Sequence, residues 1–408
     1  MFKTPPVIVG LEVGTSKVVA MVGDVGANGA LNIIGVGQSR SRGVRKGEIA
    51  DASMVEEDIR NAIVEAEQMA DVEIRSVFLG VTGTHVRGLN NRGVQQVLSV
   101  DREITPEDVQ DVIKNAKAIN LPADHQVVHA IRQHFIVDGQ DEIRDPVGML
   151  GTRLELDMHV LHGKLHRLQN PIRVVKGLQL EVDDIVFNGL ASSLTVLNND
   201  AKELGALVID LGGGTTDYVL YGGGIIKHSG VLAVGGDHVS NDLAYGLKVP
   251  LGRAEQLKLE HGAALVDASA KGQTIALTSD LGLPEKSVNL EHLRKIMSLR
   301  LQEIFELIAG DLEQAGVLGA LGAGVFICGG GARIHQVQRL AEQIFETPAY
   351  LTKACSISGL KSALDQPEFA TAIGLVKYGS FHHQQKRTNA SRLTQGLKQT
   401  LTTIFKRG

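Results

Sequence analysis

Two distant stretches of this chain repeat one pattern. VIVGLEVGTSKVVAMVG, from Val7 to Gly23, and ALVIDLGGGTTDYVLYGG, from Ala206 to Gly223, each run an apolar strand, a carboxylate, a glycine-rich turn with hydroxyls, and a second apolar strand. Each predicts a β-hairpin whose tip is rich in backbone N–H groups. Glu12 corresponds to Asp210 and Gly14 to Gly212, so the chain is expected to contain two related halves facing one another. Opposed tips of this kind supply convergent donors for a polyphosphate, while Glu12 and Asp210 can hold the water shell of a divalent cation beside it. Two clamps imply one nucleotide between them, with Mg as its cation. The first tip offers Gly14, Thr15, Ser16 and Lys17, and the second Gly212, Gly213, Gly214, Thr215 and Thr216. Neither has the GKS or GKT order of a P-loop or the spacing of a dinucleotide fingerprint.

The intervening residues predict an α/β chain. Ala52 to Met69 and Ile334 to Phe345 carry apolar residues at helical spacing. Thr105-Pro106-Glu107-Asp108 supplies an N-cap, a proline at the first helical position and first-turn acids, and Val109, Val112, Ile113 and Ala116 mark one apolar face beyond it. Alternating stretches at Gln126 to Val137 and Arg153 to Leu161 flank that helix, so residues 84–165 read as a small α+β insertion. A second insertion is expected at 231–313, with helices near Asp237 to Tyr245, Arg253 to His261 and Leu290 to Leu312. The cores would then be residues 1–83 with 166–197, and residues 198–230 with 314–381. Polar HHQQKRTNAS at 382–391 reads as a linker to a last segment, 392–408.

Composition narrows the setting. The net charge of −5 hides an acidic body and a basic end, because no acid follows Glu368 while Lys377, Lys386, Arg387, Arg392, Lys398, Lys406 and Arg407 do. Cys328 and Cys355 are too few for a disulfide framework, which points to a reducing cytoplasm. The N-terminus lacks signal-peptide architecture, and no apolar run approaches the roughly 18 residues of a membrane span, so membrane attachment is expected to be peripheral. Nucleic-acid binding is disfavoured by the acidic body, by the absence of Trp and by aromatics at 4%. His159, His162 and His166 lack a zinc-site pattern and read as scattered surface histidines.

A third glycine cluster, Gly329-Gly330-Gly331-Ala332, follows an apolar strand and opens a helix. Bare backbone there can lie against a nucleoside, or it can serve a turn that needs φ above zero. GLEVGTSK, DLGGGTTD and CGGGA, in this order, resemble the two phosphate motifs and the adenosine motif of the superfamily that unites actin, heat-shock chaperones and sugar kinases. The resemblance implies a duplicated, ribonuclease H-like actin fold around an ATP cleft. Gly14 to Lys17 and Gly212 to Thr216 would meet phosphates, and Gly329 to Ala332 adenosine. Glu255 and Lys258 match the E-x-x-K pair with which the chaperones hold ribose and adenine, preceded by Gly235 and Gly236; an exposed helical ion pair is the alternative. The chaperones place a catalytic Glu in the motif occupied here by FNGLASS, at about Gly189, and Asn188 beside it is a poor base, so hydrolysis is expected to be slow or absent.

Nearly the whole chain further resembles the FtsA family of bacterial cell-division proteins, on LNIIGVGQSRSRGVRKGEI (Leu31 to Ile49), DPVGMLGTRLE (Asp145 to Glu155), FNGLASSLTVL (Phe187 to Leu197) and TAIGLVKYG (Thr371 to Gly379). That resemblance implies an ATP-regulated, self-polymerising adaptor at the division site that anchors the tubulin-like FtsZ to the inner membrane's cytoplasmic face. It places the FtsZ C-terminal peptide on the second insertion and later division partners on 84–165. Arg294, Lys295 and Arg300 are the expected cations there, beside an apolar groove of Ile296, Leu299 and Ile304. An actin-fold small-molecule kinase and an actin-like pilus-assembly protein remain as alternatives; a chaperone reading lacks a substrate-binding domain after the nucleotide domain.

The end of the chain can be read from periodicity alone. At about 100° per residue, Leu393, Leu397, Leu401, Ile404 and Phe405 fall within about 120°, with Arg392, Lys398, Lys406 and Arg407 outside that arc. An apolar stripe with basic flanks suits an anionic membrane surface, and docking on the chain's own domain is the alternative.

Overall fold

A computed structural model describes residues 7–26, 30–277, 286–354, 357–360, 363 and 365–384. Its centre is a duplicated sheet. In the first half, Ile8–Val13 pairs antiparallel with Lys17–Val25, which continues antiparallel to Leu31–Arg40; on its other side Ile8–Val13 runs parallel to Ser76–Val81, and that strand parallel to Glu181–Phe187. The second half repeats this order with Ala206–Leu211, Thr216–Gly222, Ile225–Leu232, Gly324–Cys328 and Ala349–Leu351. Even the register matches: Gly10 faces Phe78 in one half, and Val208 faces Phe326 in the other.

Alternation along these strands explains their burial. Val9, Leu11, Val18 and Ala20 pack with Val55, Ile59, Ala62 and Ile63 of the helix Ala52–Ala70, while Ile8, Val19 and Met21 face Ala372, Ile373 and Val376 of the helix at 370–384. Both faces are covered, hence the near-continuous apolar runs. Between the two sheets lies the helix Asn188–Val196, which shares one core with Val208, Val219 and Cys328. The outer face of the second sheet is covered by Gly236–Leu247, Leu251–His261, Leu290–Gln314 and Val337–Phe345.

Three expectations need correction, the first being the surface reading of His159 and His162, which are buried because they face Ser229 and His125. The helix expected from Ile334 starts at Val337, because Gln336 holds a left-handed φ of 61° and the preceding Gly330–Arg333 is a 3-10 turn. His382, His383 and Gln384, read as the start of a linker, continue the helix at 370–384. The rest of 385–408 lies outside the described residues.

Residues 87–164 form an antiparallel sheet in the order Arg87–Gln96, Arg153–Lys164, His125–Val137, Gln140–Ile143, with the helix Pro106–Lys117 on one face. Thr105 and Asp108 cap that helix reciprocally: Asp108 N–H donates to Thr105 Oγ1, and Thr105 N–H to Asp108. This sheet leans on the second half through Asn90, whose amide donates to Lys227 O at 2.9 Å, and through His159, which meets Asn90 Oδ1 at 2.7 Å and Ser229 Oγ at 2.8 Å. His162 pairs with His125 at 2.8 Å. Nearby, His129 Nε2 accepts the Phe187 N–H at 3.1 Å.

Burial pushes both His129 and His159 down to about 4. Each is neutral in the fold, whereas the unfolded chain takes up the proton near the ordinary histidine value of 6.5. The stability they confer is therefore complete above pH 6.5 and is lost as pH falls toward 4, by up to about 1.4 kcal/mol per pH unit per histidine. His159→Gln should flatten the acid limb of a Tm-against-pH curve in that window; an unchanged slope would show that this histidine does not contribute.

Candidate functional site

Each glycine-rich turn closes on the same backbone bond: Gly14 N–H donates to Lys17 O at 3.0 Å, and Gly212 N–H to Thr215 O at 3.0 Å. The two tips meet face to face. A Cβ placed on Gly214 would lie 2.5 Å from Thr15 Oγ1, and one on Gly213 would lie 3.2 Å from the Ser16 Cβ. Between the tips and the second half's helices lies a cleft of about 660 Å³, lined among others by Glu12, Gly14 to Lys17, Asp210, Gly212 to Thr215, Gly236, Glu255, Lys258 and Gly329 to Gly331.

Three carboxylates converge on its floor. Glu12 and Asp210 each stand one residue before the end of the first strand of their hairpins, and Asp217 faces Asp210 directly across the second hairpin. Burial raises all three: Glu12 to about 7, where Lys17 offsets part of the effect, and Asp217 well above the usual carboxylate range, with Asp210 adding to it. Thr371 donates to Asp210 at 2.6 Å and Thr82 to Asp217 at 2.5 Å, but Glu12 Oε2 is buried with no hydrogen-bond partner. A buried carboxylate oxygen left bare in a group of acids is the environment a hydrated divalent cation satisfies, so the donor set fits magnesium. Lys17 Nζ donates to the Glu368 carbonyl at 2.5 Å, over the Phe369 ring.

At the other end, Lys258 bridges Glu255 (2.7 Å) and the Gly236 carbonyl (3.2 Å), and Glu255 also accepts from Ser240. This pair faces the cleft. Gly329 has φ of +82°, and a Cβ on it would strike Asp210 Oδ1 at 2.4 Å, so the turn requires glycine both for its backbone and for the close approach.

Some expected residues are placed elsewhere. Thr216 is fully buried and donates to Val234 O at 2.7 Å, Gly235 caps the helix Gly236–Leu247, and Ala332 packs at 2% exposure. Arg294 is held by Asp267 (2.9 Å), and Arg300 grips Asp242 through Nε (2.5 Å) and Nη2 (3.1 Å) and also meets Glu303; Lys295 is exposed. The apolar groove expected beside them does not form, because Ile304 falls on the helix face with Leu301 and is wholly buried, leaving Leu299 exposed. Leu393, Leu397, Lys398, Leu401, Ile404, Phe405, Lys406 and Arg407 lie outside the described residues.

The cleft also contains residues the sequence reading did not assign to it: Thr82, Asp217, Asp237, Arg333, His335, Glu368 and Thr371. Asp217 alone carried a usable signal, as the last residue of DLGGGTTD. Asn188, named as a poor base, lines the cleft with its Oδ1 buried and unpartnered.

Comparison with known proteins agrees over most of the chain. The family described as cell division protein FtsA matches residues 207–374, and the SHS2 domain inserted in FTSA matches residues 83–162. The cell division protein FtsA of Pseudomonas aeruginosa is 38% identical over 372 residues, covering 91% of this chain and 89% of that one. That of Escherichia coli K12 is 36% identical over 397 residues, 94% of each. Among solved structures, the PilM–PilN type IV pilus biogenesis complex superposes with a TM-score of 0.65 at 15% identity (91% of this chain, 98% of that one). MreB 5 of Spiroplasma citri bound to AMPPNP gives 0.57 at 15% (95% and 99%). Identities this low speak for the fold alone, which is actin-like.

Proposed function

The chain belongs to the FtsA family of cell-division proteins, and from that premise we propose that it binds ATP with magnesium, assembles with itself, and tethers FtsZ to the cytoplasmic face of the membrane. The observation that carries the reading is the pair of identically closed hairpin tips meeting over a bare, buried Glu12 oxygen. Their N–H groups and the Thr15, Ser16 and Thr215 hydroxyls bind the phosphate chain; Glu12 and Asp210 hold the magnesium hydration shell. Magnesium supplies the charge that offsets the polyphosphate. Lys17 leaves the Glu368 carbonyl for a phosphate, and Glu255 and Lys258 meet the sugar and base. Solved MreB 5 is described as bound to AMPPNP and, separately, to ADP, which supports a nucleotide in a cleft of this fold. An amide at Asn188 cannot accept a proton as a carboxylate does, so hydrolysis is slow.

FtsZ's acidic and apolar C-terminal peptide is placed on the second half's insertion, near the helix Leu290–Gln314. Arg300 is already paired with Asp242, so an incoming carboxylate competes with that side chain, whereas exposed Lys295 is available at once. A synthetic FtsZ C-terminal peptide should bind saturably, and Lys295→Glu with Arg300→Glu should weaken it by about tenfold or more. Unchanged affinity in that double variant removes the site; no binding to the unsubstituted chain removes the FtsZ-tethering reading.

A further inference from the structure

Beside the two glycine-rich tips stands a third, shorter hairpin, Val44–Arg45 paired with Glu48–Ile49. Its tip, Lys46-Gly47, has positive φ at both residues, 51° and 75°. Its base is fixed: Ala50 and Asp51 N–H groups donate to Gly43 O, Arg42 binds the buried Asp58, and Glu48 pairs with Arg167. The tip touches both halves of the molecule. Gly47 N–H donates to Thr15 Oγ1 at 3.0 Å, a Cβ on Gly47 would lie 2.8 Å from Thr82 and 3.0 Å from Thr215, and the Lys46 Cα sits 3.0 Å from the Cβ position of Gly214.

Lys46 and Gly47 do not line the cleft themselves but back its lining residues Thr15, Gly214 and Thr215, and a row of contacts fixes where this finger stands relative to Glu255 and Lys258. Lys258 lies on Gly236, whose N–H and that of Asp237 donate to Gly212 and Gly213 carbonyls, and Gly214 abuts Lys46. The finger is therefore at the end of the row remote from Glu255 and Lys258. We propose that the Lys46-Gly47 finger is a third phosphate-binding element that contacts the terminal phosphate and selects a nucleoside triphosphate over a diphosphate. The inference rests on the nucleotide reading of the cleft.

The chemistry follows from the contacts. A hydroxyl that accepts the Gly47 N–H must aim its own proton elsewhere, and no acceptor for Thr15 is found among the described residues, so the finger orients Thr15 as a donor into the cleft. Lys46 is exposed and forms no ion pair among the described residues; its charge reaches His238, which burial first and Lys46 second hold below the usual histidine range. An ammonium at this rim meets an anion only when a phosphate extends that far.

The test compares ATP and ADP affinities, both with magnesium, in the full chain. Lys46→Glu is at an exposed position and should fold; it should weaken ATP by about tenfold or more and ADP by less than about threefold, while Lys46→Arg keeps the preference. Gly47→Ala, which forces a Cβ against Thr82 and Thr215, should lift the finger and show the same selective loss. Equal losses for both nucleotides, or no loss in Lys46→Glu, would overturn the assignment. Absence of ATP binding to the unsubstituted chain would instead overturn the nucleotide reading.

Discussion

Asp210→Ala should weaken magnesium-dependent ATP binding by about a hundredfold, roughly 2.7 kcal/mol, and leave the nucleotide-free protein folded. Asp210 lies near the end of the central strand of the second half, accepts a hydrogen bond from Thr371, and stands with Glu12 and Asp217 in one buried acidic group. Burial raises its pKa, so in the empty cleft its charge is a cost rather than a support. Alanine relieves that cost and leaves Thr371 without its acceptor, two effects that oppose one another in the nucleotide-free stability. With cation and phosphates present the balance reverses, because the carboxylate is then matched by opposite charge. A thermal-shift titration separates the two: at ligand a thousandfold above the original Kd, stabilisation of about 4 kcal/mol should shrink to about 1.4 in the variant. Turnover by the unsubstituted chain in the same preparation should be slow. Undiminished magnesium-dependent affinity in Asp210→Ala would remove Asp210 from the cation site, and turnover as fast as a metabolic kinase would contradict the reading of Asn188.

Deleting residues 393–408 should abolish sedimentation with anionic liposomes while ATP affinity stays unchanged. The segment's periodicity gathers Leu393, Leu397, Leu401, Ile404 and Phe405 on one stripe, and no acid follows Glu368. Burying five such side chains contributes roughly 8 to 15 kcal/mol before ordering costs, with about 1 more for each Lys or Arg near an anionic surface. The cost of ordering a short helix at the membrane offsets much of that gain. One tail should therefore bind reversibly, and self-assembly should multiply the attachment. Leu401→Asp with Phe405→Asp should act nearly as the deletion does. If the stripe instead docks on its own domain, the double variant lowers Tm and leaves sedimentation intact.

What could be read from sequence, and what could not, divides by the range of the interaction. The hairpin tips were legible because their closing bonds join residues three apart, Gly14 with Lys17 and Gly212 with Thr215. The helix Pro106–Lys117 was legible for the same reason, since its cap is local. Thr82 and Thr371 were not, because each enters the cleft through tertiary pairing: Thr82 follows the strand parallel to Ile8–Val13, and Thr371 opens the helix that covers the same sheet. Arg300 illustrates the limit from the other side. Its charge was visible, but its partner Asp242 lies on another helix, and the phase that buries Ile304 is set by the whole length of Leu290–Gln314. Gly47 carries no legible signal, since GVRKGEI has no phosphate-loop order, and only its seat on Thr15 marks it.

The most direct measurement is a titration of the full chain with a fluorescent ATP analogue, run in parallel with magnesium and with EDTA. The account predicts one saturable site per chain, competed by unlabelled ATP and weakened by at least about tenfold when magnesium is removed. Absence of saturable binding, or binding indifferent to magnesium, would contradict it.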